Sequence, residues 1–393
     1  MSCVYLGNGI LKTMAEQGTI ENGGILIEDG RIVYVGEAIM PPEPCIKVDA
    51  RGGYIMPGLI DAHSHIGIFE SGIGEMGVDG NEDNCAITPQ MRGIDGVNPM
   101  DPEFTKAYQN GVTLVATGPG SANPIGGQFA ALHTRGRTIE EMLVKEPLAM
   151  KMAFGENPKK SHGSKGRLPG TRMGVAALIR ETLYKAKEYA QKKETEGGVS
   201  FDLGMEALVP VIKGELLVKA HAHRADDIMT ALRIAEEFHL KMTIEHCSEG
   251  HLLAEELAAK GNMVILGPYL GFPHKNEVIW RDEAAAGILE KAGVELAIMT
   301  DLPAMHEESL RISAGLCHQK GLSEEGAFRA ITIYAAKSLG LDQQYGSLEV
   351  GKAADIVIFD KNPITCLEAK CIFTMIEGQC VFSCEEIGKE ILL

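Results

Sequence analysis

The sequence predicts an α/β protein: a (β/α)8 TIM barrel with a small composite β-sandwich domain formed by both termini. Three observations predict it. Eight short apolar runs lie between residues 59 and 301, and the later ones alternate with helical patterns. Strands alternating with helices build parallel sheets, and eight of them suit closure into a barrel. Several of those runs end in histidine or aspartate, which belongs at the rim where barrel strands finish. The third observation is that both ends of the chain are β-rich, yet neither has enough strands to cover an apolar face alone.

The expected division is residues 1–57 for the N-terminal part of the sandwich, 58–342 for the barrel and 343–393 for the C-terminal part. A chain of 393 residues suits a barrel of ~250 residues plus a smaller module. In the first part, Gly24 to Gly36 is a hairpin, two β-rich runs joined at Asp29-Gly30. Near the other end, Cys371 to Phe382 is a second hairpin bending at Glu377-Gly378.

The barrel strands are expected at Leu59 to His65, Val112 to Thr117, Gln128 to His133, Ala149 to Phe154, Leu217 to His223, Lys241 to His246, Met263 to Leu266 and Glu295 to Asp301. Ile228, Leu232, Ala235 and Phe238 mark one face of a helix. Leu252, Leu253 and Leu257 mark another, and Val175, Leu178, Ile179, Leu183 and Ala186 a third.

Composition narrows the partners. With 37 basic and 54 acidic residues the net charge is −17, which argues against nucleic acid and against anionic membrane. No apolar run approaches the ~20 residues needed to span a bilayer. No basic segment followed by an apolar stretch opens the chain, so a cytoplasmic protein is expected. The expected partner is a small-molecule substrate, and a homo-oligomer stays open. Nine cysteines fall at irregular spacings. Cys366 with Cys371, and Cys380 with Cys384, lack the second pair that would complete a metal site, so reduced thiols are expected.

The chemistry is organised around Tyr54-Ile55-Met56-Pro57-Gly58-Leu59-Ile60-Asp61-Ala62-His63-Ser64-His65. If Leu59 to His65 is extended, side chains alternate and His63 and His65 point the same way. Two imidazoles side by side at a strand end offer neighbouring ligands for one divalent ion. Leu217 to His223 contains a second His-x-His, at His221 and His223, and later strands end in His246 and Asp301.

Met56 to His65 resembles the PGxIDxHxH signature of the amidohydrolase superfamily, closest to its imidazolonepropionase-like and prolidase-like branch. Gly346 to Asp360 is similar to the GxLxxGKxADIVxxD phrase of the amidohydrolase β-sandwich. The resemblance implies a metal-dependent hydrolase holding one or two divalent ions, zinc foremost, with manganese or iron as alternatives. By resemblance, His63, His65, His221, His246 and Asp301 are metal ligands, with His246 serving a second ion or, in a one-metal site, contacting substrate or water. His223 lies one pleat beyond His221, in reach of substrate or in a structural role. Asp301 is the expected proton carrier, the bland alternative being a helix cap before Pro303. In prolidase-like relatives a carboxylated lysine bridges two ions, which points to Lys151. Glu156 stands where those relatives have glycine, so a glutamate bridge is also open and slightly favoured. Lys151 and Glu156 are an odd number of residues apart, so one regular strand cannot aim both inward.

The expected reaction is hydrolysis of an amide-type C–N bond through metal-activated water, in a cyclic amide, an N-acyl amino acid or a dipeptide. An imidazolonepropionase- or deaminase-type reaction on a ring is the alternative. A catalytically silent binding protein on the same scaffold is the reading from a different class.

Three loops are candidates for the mouth of the site. Ser71 to Asp101 is long enough to suggest a functional loop. Gly118 to Gln128 could offer backbone N–H groups to a carboxylate. Ser161 to Arg172, with Lys159, Lys160, Lys165, Arg167 and Arg172 in or beside it, could be a mobile basic lid. His133 is a candidate support for the site, His274 and His306 are candidate pocket residues, and His162, His239, His251 and His318 read as structural.

Overall fold

Apolar runs of three to eleven residues separated by turns become strands throughout the computed structural model, which describes residues 3–195, 199–271 and 275–384. The first group is β1 (Cys3–Lys12), β2 (Thr19–Glu28), β3 (Arg31–Glu37), β4 (Ile46–Asp49) and β5 (Tyr54–Pro57). The barrel group is β6 (Leu59–Ser64), β7 (Val112–Thr117), β8 (Ile125–His133), β9 (Leu143–Ala153), β10 (Leu217–Ala222), β11 (Met242–His246), β12 (Val264–Leu266) and β13 (Leu296–Ile298). The last group is β14 (Ile356–Phe359), β15 (Cys371–Ile376) and β16 (Gln379–Ser383).

The two terminal groups form one sheet in the order β16-β15-β14-β5-β1-β2-β3, with β4 paired to β1. Ile25, Ile27 and Ile55 from the first group share a core with Ile356, Phe373 and Met375 from the last. Each piece therefore covers the apolar face that the other lacks. Both hairpins turn in two residues with positive φ, Asp29-Gly30 and Glu377-Gly378, as tight hairpin turns require. The two turns abut, and a Cβ added at Gly378 would lie 2.6 Å from the Gly30 Cα.

Every expected barrel strand is present, in the order β6 to β13. The first and last meet just beyond the end of β13: the Asp301 N–H donates to the His63 carbonyl at 3.1 Å and the His65 N–H to the Leu302 carbonyl at 3.1 Å. The expectation of a wholly parallel barrel needs one correction. β8 is antiparallel to both β7 and β9, because only the tight connection 118–124 joins it to β7 and no helix carries the chain back. The barrel is otherwise parallel.

The helix over Ala225–Phe238 buries Ile228, Leu232, Ala235 and Phe238 as the periodicity predicts. The helix over Arg172–Thr195 buries Val175, Ile179, Leu183 and Ala186. The third pattern is only partly met, since Leu252 is exposed in a short 3-10 turn that precedes the helix Ala254–Lys260.

The expectation that all cysteines are reduced thiols is corrected by a Cys3–Cys45 disulfide. Parallel pairing of Val4 with Ile46 brings these two cysteines to adjacent strand positions, with their Cα atoms 4.7 Å apart. Among the described residues no helix is long and apolar enough to cross a membrane.

Candidate metal centre

The barrel floor explains how the site is set. Lys151 on β9 pairs in register with Lys219 on β10, and both are fully buried. Phe129 of the reversed strand packs its ring 5.4 Å from the Lys151 Nζ and 5.8 Å from the Lys219 Nζ. Its ring centroid is also 5.2 Å from that of His63. Glu245 on β11 lies opposite His221 and accepts from the His63 Nδ1 at 2.6 Å and from the Lys219 Nζ at 3.0 Å. A carboxylate and an ammonium removed from water are tolerable only as such a hydrogen-bonded pair.

Above this floor the imidazoles converge. Nδ1 of His65 is 2.7 Å from the Gly118 carbonyl, Nδ1 of His246 is 3.0 Å from the Gly267 carbonyl, and Nδ1 of His223 is 2.8 Å from the Ser248 hydroxyl. Tying one ring nitrogen in this way orients the other. Nε2 of His63 and of His65 lie 3.7 Å and 3.5 Å from the Asp301 Oδ1. His246 and Asp301 have left-handed backbones, with φ of 67° and 54°. That conformation is uncommon for a residue other than glycine and re-aims a side chain at a strand end. It lets Glu245 and His246 serve the same interior although strict alternation would separate them.

Two donor groups result. His63, His246 and Asp301 offer ligand atoms all within 4.8 Å of one another, and so do His221, His223 and His246. Burial holds His63, His221 and His246 well below the usual imidazole range, helped by Lys151 beside His63, by His223 beside His221 and by His221 beside His246. Neutral imidazoles with one carboxylate are the donor set a zinc-type divalent ion takes, so the residues present fit such an ion. Burial also pushes the Lys151 ammonium down to about 7 and the Asp61 carboxyl up to about 6. Asp61 accepts from the backbone N–H of His63 and of Thr300, at 3.0 Å each, and so stitches the ligand-bearing ends of β6 and β13 together.

A cavity of about 450 Å³ opens on these groups, lined among others by His65, His221, His223, His246, Lys275 and Asp301. With this geometry established, sequence comparison decides the family. The Amidohydrolase family model matches residues 54–381. The chain belongs to the amidohydrolase family. It is a hydrolase acting on carbon–nitrogen bonds. An amidohydrolase of known structure from Thermotoga maritima MSB8 is 39% identical, with a TM-score of 0.93 and coverage of 97% of this chain and 100% of that one. Amidohydrolase tasK of Hapsidospora irregularis is 31% identical over 378 residues, 87% of this chain, but the match spans only 38% of tasK. A 5-methylthioadenosine/S-adenosylhomocysteine deaminase of Bacillus cereus (strain 03BB102) is 24% identical, covering 92% of this chain and 86% of the deaminase.

The amidohydrolase brings His65, His221, His223, His246 and Asp301 to one cavity wall, with His63 fully buried beside Asp301. It also brings Lys151, whose Nζ is 3.0 Å from the His63 Nε2. Glu156 is not among them: it opens the helix Glu156–Gly163 beyond the strand, and its backbone N–H donates to Glu277 at 2.8 Å. Among the described residues Glu156, the slightly favoured bridge, joins neither donor group, whereas Lys151 lies directly beside His63. Gly155, with φ of 80°, follows β9 and caps the helix that Glu156 opens. His133 is also displaced from the expected role. Because β8 is reversed, it ends at the opposite side of the barrel, 3.3 Å from Asp355 beside the terminal sheet.

The mouth differs from expectation in its details. The Gly120 and Ala122 N–H groups are used by the Gly80 carbonyl and the Asn81 side chain, so the 118–128 loop serves the site through the Gly118 carbonyl rather than as an anion cradle. The basic segment is tied down rather than free. Lys165 pairs with Asp83 at 2.6 Å, Arg167 donates to the Asp83 and Asn84 carbonyls, and Arg172 pairs with Asp227 at 2.9 Å. His306 pairs with Glu103 instead of lining the cavity, and His274 lies outside the described residues. Sequence reasoning passed over Lys219, Glu245 and Glu277. The first two carry a usable signal, a charged residue inside an otherwise apolar strand.

Proposed function

We propose that this amidohydrolase cleaves the amide-type C–N bond of a small substrate: a cyclic amide, an N-acyl amino acid or a dipeptide. The observation that carries it is the approach of His63 Nε2 and His65 Nε2 to the Asp301 Oδ1, at 3.7 Å and 3.5 Å, where His65 and Asp301 line the cavity. His63, His65, Lys151 and Asp301 would hold one divalent ion, and His221 and His246 a second, with zinc foremost and manganese or iron as alternatives. Such an ion supplies a Lewis acid for the carbonyl and lowers the pKa of water.

The remaining work falls to the chain. Asp301, 19% exposed on its side chain, faces the cavity and can take a proton from water and hand it to the leaving nitrogen. His223, fixed at Nδ1 by Ser248, lines the cavity next to His221. Glu245, held by Lys219, fixes the ring of His63. A cavity of about 450 Å³ fits a small molecule rather than a long peptide. Deamination of a ring is the second reading, favoured by the match to the Bacillus deaminase along 86% of its length.

Nucleic acid and anionic membrane do not suit a chain of net charge −17, and a homo-oligomer is left to measurement. A cytoplasmic location is also proposed, with the Cys3–Cys45 disulfide as its counterweight; thiol titration of protein taken directly from cells tests it.

The central test is elemental analysis followed by Asp301→Asn. One or two equivalents of metal, with turnover abolished and metal largely kept in the variant, is the expected result. Protein that never retains metal would instead favour a silent binding scaffold, and unchanged turnover in D301N would remove the proton-carrier role.

A further inference from the structure

The geometry points to Glu277 as a metal-directed carboxylate that completes a His221–His223–His246–Glu277 cation site, a step that rests on the hydrolase assignment above. Glu277 comes from outside the barrel strands, in the short turn Asn276–Val278 after β12. It is nevertheless only 1% exposed. A carboxylate kept from water is costly unless its oxygens are satisfied.

Its two oxygens are treated differently. Oε2 accepts from the Glu156 backbone N–H at 2.8 Å and lies 4.0 Å from Arg172. Oε1 is buried and has no hydrogen-bond partner among the described residues. It faces Nε2 of His223 at 3.7 Å, Nε2 of His221 at 3.8 Å and Nζ of Lys275 at 3.8 Å. These separations are too long for hydrogen bonds. They are close to what two ligands of one ion need: with metal–ligand bonds of about 2.0–2.1 Å, tetrahedral partners sit roughly 3.3 Å apart.

The three imidazoles are arranged to match. His223 is held at Nδ1 by Ser248 and His246 at Nδ1 by Gly267, and the ligand atoms of all three histidines lie within 4.8 Å of one another. The three histidines form the donor group, and the unpartnered Glu277 Oε1 approaches two of them, His221 and His223, adding a carboxylate of the kind a first-row divalent ion takes. The consequence is a link between metal and substrate wall. Lys275, Val278 and Arg281 on either side of Glu277 line the cavity, so an ion that takes Glu277 also seats the segment that shapes it.

The competing role for Glu277 is an ion-pair partner for Lys275, and the two are separable. Chelated protein is titrated with Co²⁺ and then Zn²⁺ by equilibrium dialysis, with the visible spectrum of cobalt recorded. Wild type is expected to take two ions. Glu277→Gln keeps an acceptor for the Glu156 N–H, so it should melt near wild type when chelated. It should bind the first ion normally and the second at least tenfold more weakly, with an altered cobalt spectrum. His223→Gln should show the same loss, the two variants together should add little, and Lys275→Met should keep both ions. Identical two-ion isotherms and spectra for E277Q and wild type would overturn the inference and leave the hydrolase assignment standing. Loss of the second ion in K275M as well, with E277Q unchanged in spectrum, would assign Glu277 to Lys275. A wild-type protein that takes no ion would sink the site and the assignment together.

Discussion

Glu245 and Lys219 lie 3.0 Å apart beneath His63, both without solvent exposure. The same carboxylate oxygen, Oε2, reaches the His63 Nδ1 at 2.6 Å. Glu245 therefore has two tasks, to neutralise a buried ammonium and to fix the tautomer of a ligand imidazole. Glu245→Ala should cost about 3–5 kcal/mol, because Lys219, left with only the Ala62 carbonyl as acceptor, would lose its countercharge. Glu245→Gln should fold better but bind metal roughly 10–100-fold more weakly. Denaturant unfolding and equilibrium dialysis read the two effects separately. Metal affinity unchanged in E245Q would show that His63 needs no such partner.

Gly267 offers an independent handle on His246. Its φ is 141°, and a Cβ there would meet the Met299 carbonyl oxygen at 2.6 Å. Its own carbonyl holds the His246 Nδ1 at 3.0 Å. Gly267→Ala should cost about 1–3 kcal/mol in backbone strain and should also loosen ion binding, because the carbonyl moves with the strain. Denaturant unfolding combined with metal dialysis checks both. A variant that is destabilised yet binds metal as wild type would confine Gly267 to a packing role.

Much of this arrangement can be read from residues alone, and the exceptions have physical causes. Strand positions are readable because apolar runs such as Val112–Thr117 and Leu217–Ala222 are bounded by turns and fully or nearly fully buried. Strand direction is not, since an apolar run looks the same either way, which is why β8 and with it His133 were misplaced. Alternation correctly pairs His221 with His223, but it cannot foresee the positive φ of His246 and Asp301. The choice between Lys151 and Glu156 turns on where β9 ends, and boundaries are the weakest part of any pattern. Glu277 leaves no periodic trace because it sits in a three-residue turn. The Cys3–Cys45 bond depends on a strand pairing across 42 residues that no local pattern encodes.

His133 should make stability depend on pH. Burial works against a charged ring there, but the Asp355 carboxylate 3.3 Å away more than offsets it, so the imidazole titrates above its ordinary 6.5. A folded-state pKa above the unfolded one means the stabilisation is complete below about 6.5 and is lost as pH rises through the folded value. Wild type should therefore lose stability across that window, and His133→Gln should show a flatter profile. Denaturant midpoints from pH 5.5 to about 9 test this. Parallel profiles for the two proteins would remove the His133–Asp355 pair as a latch between barrel and terminal sheet.

Lys151 carries the last prediction. It is fully buried, and burial pulls its ammonium down to about 7 against the opposing pull of Glu245 and Asp301. A folded-state pKa below the unfolded 10.5 means that metal-free protein gains stability as pH rises from about 7, since the unfolded chain then binds more protons. It also means that near pH 7 a large share of chains carries a neutral amine, the form able to add to carbon dioxide, forming a carbamate and releasing a proton. Its Nζ is 3.0 Å from the His63 Nε2, where a carbamate could join two ions. Metal uptake by chelated protein should therefore increase with added bicarbonate and should climb with pH through about 7. Lys151→Met should lose the bicarbonate response and at least one bound ion, and Lys151→Arg, which stays charged, should do no better. Metal per chain after dialysis, with and without bicarbonate, decides it. If K151M keeps the full metal content, the lysine is a buried neighbour of His63 and the bridge must be sought elsewhere.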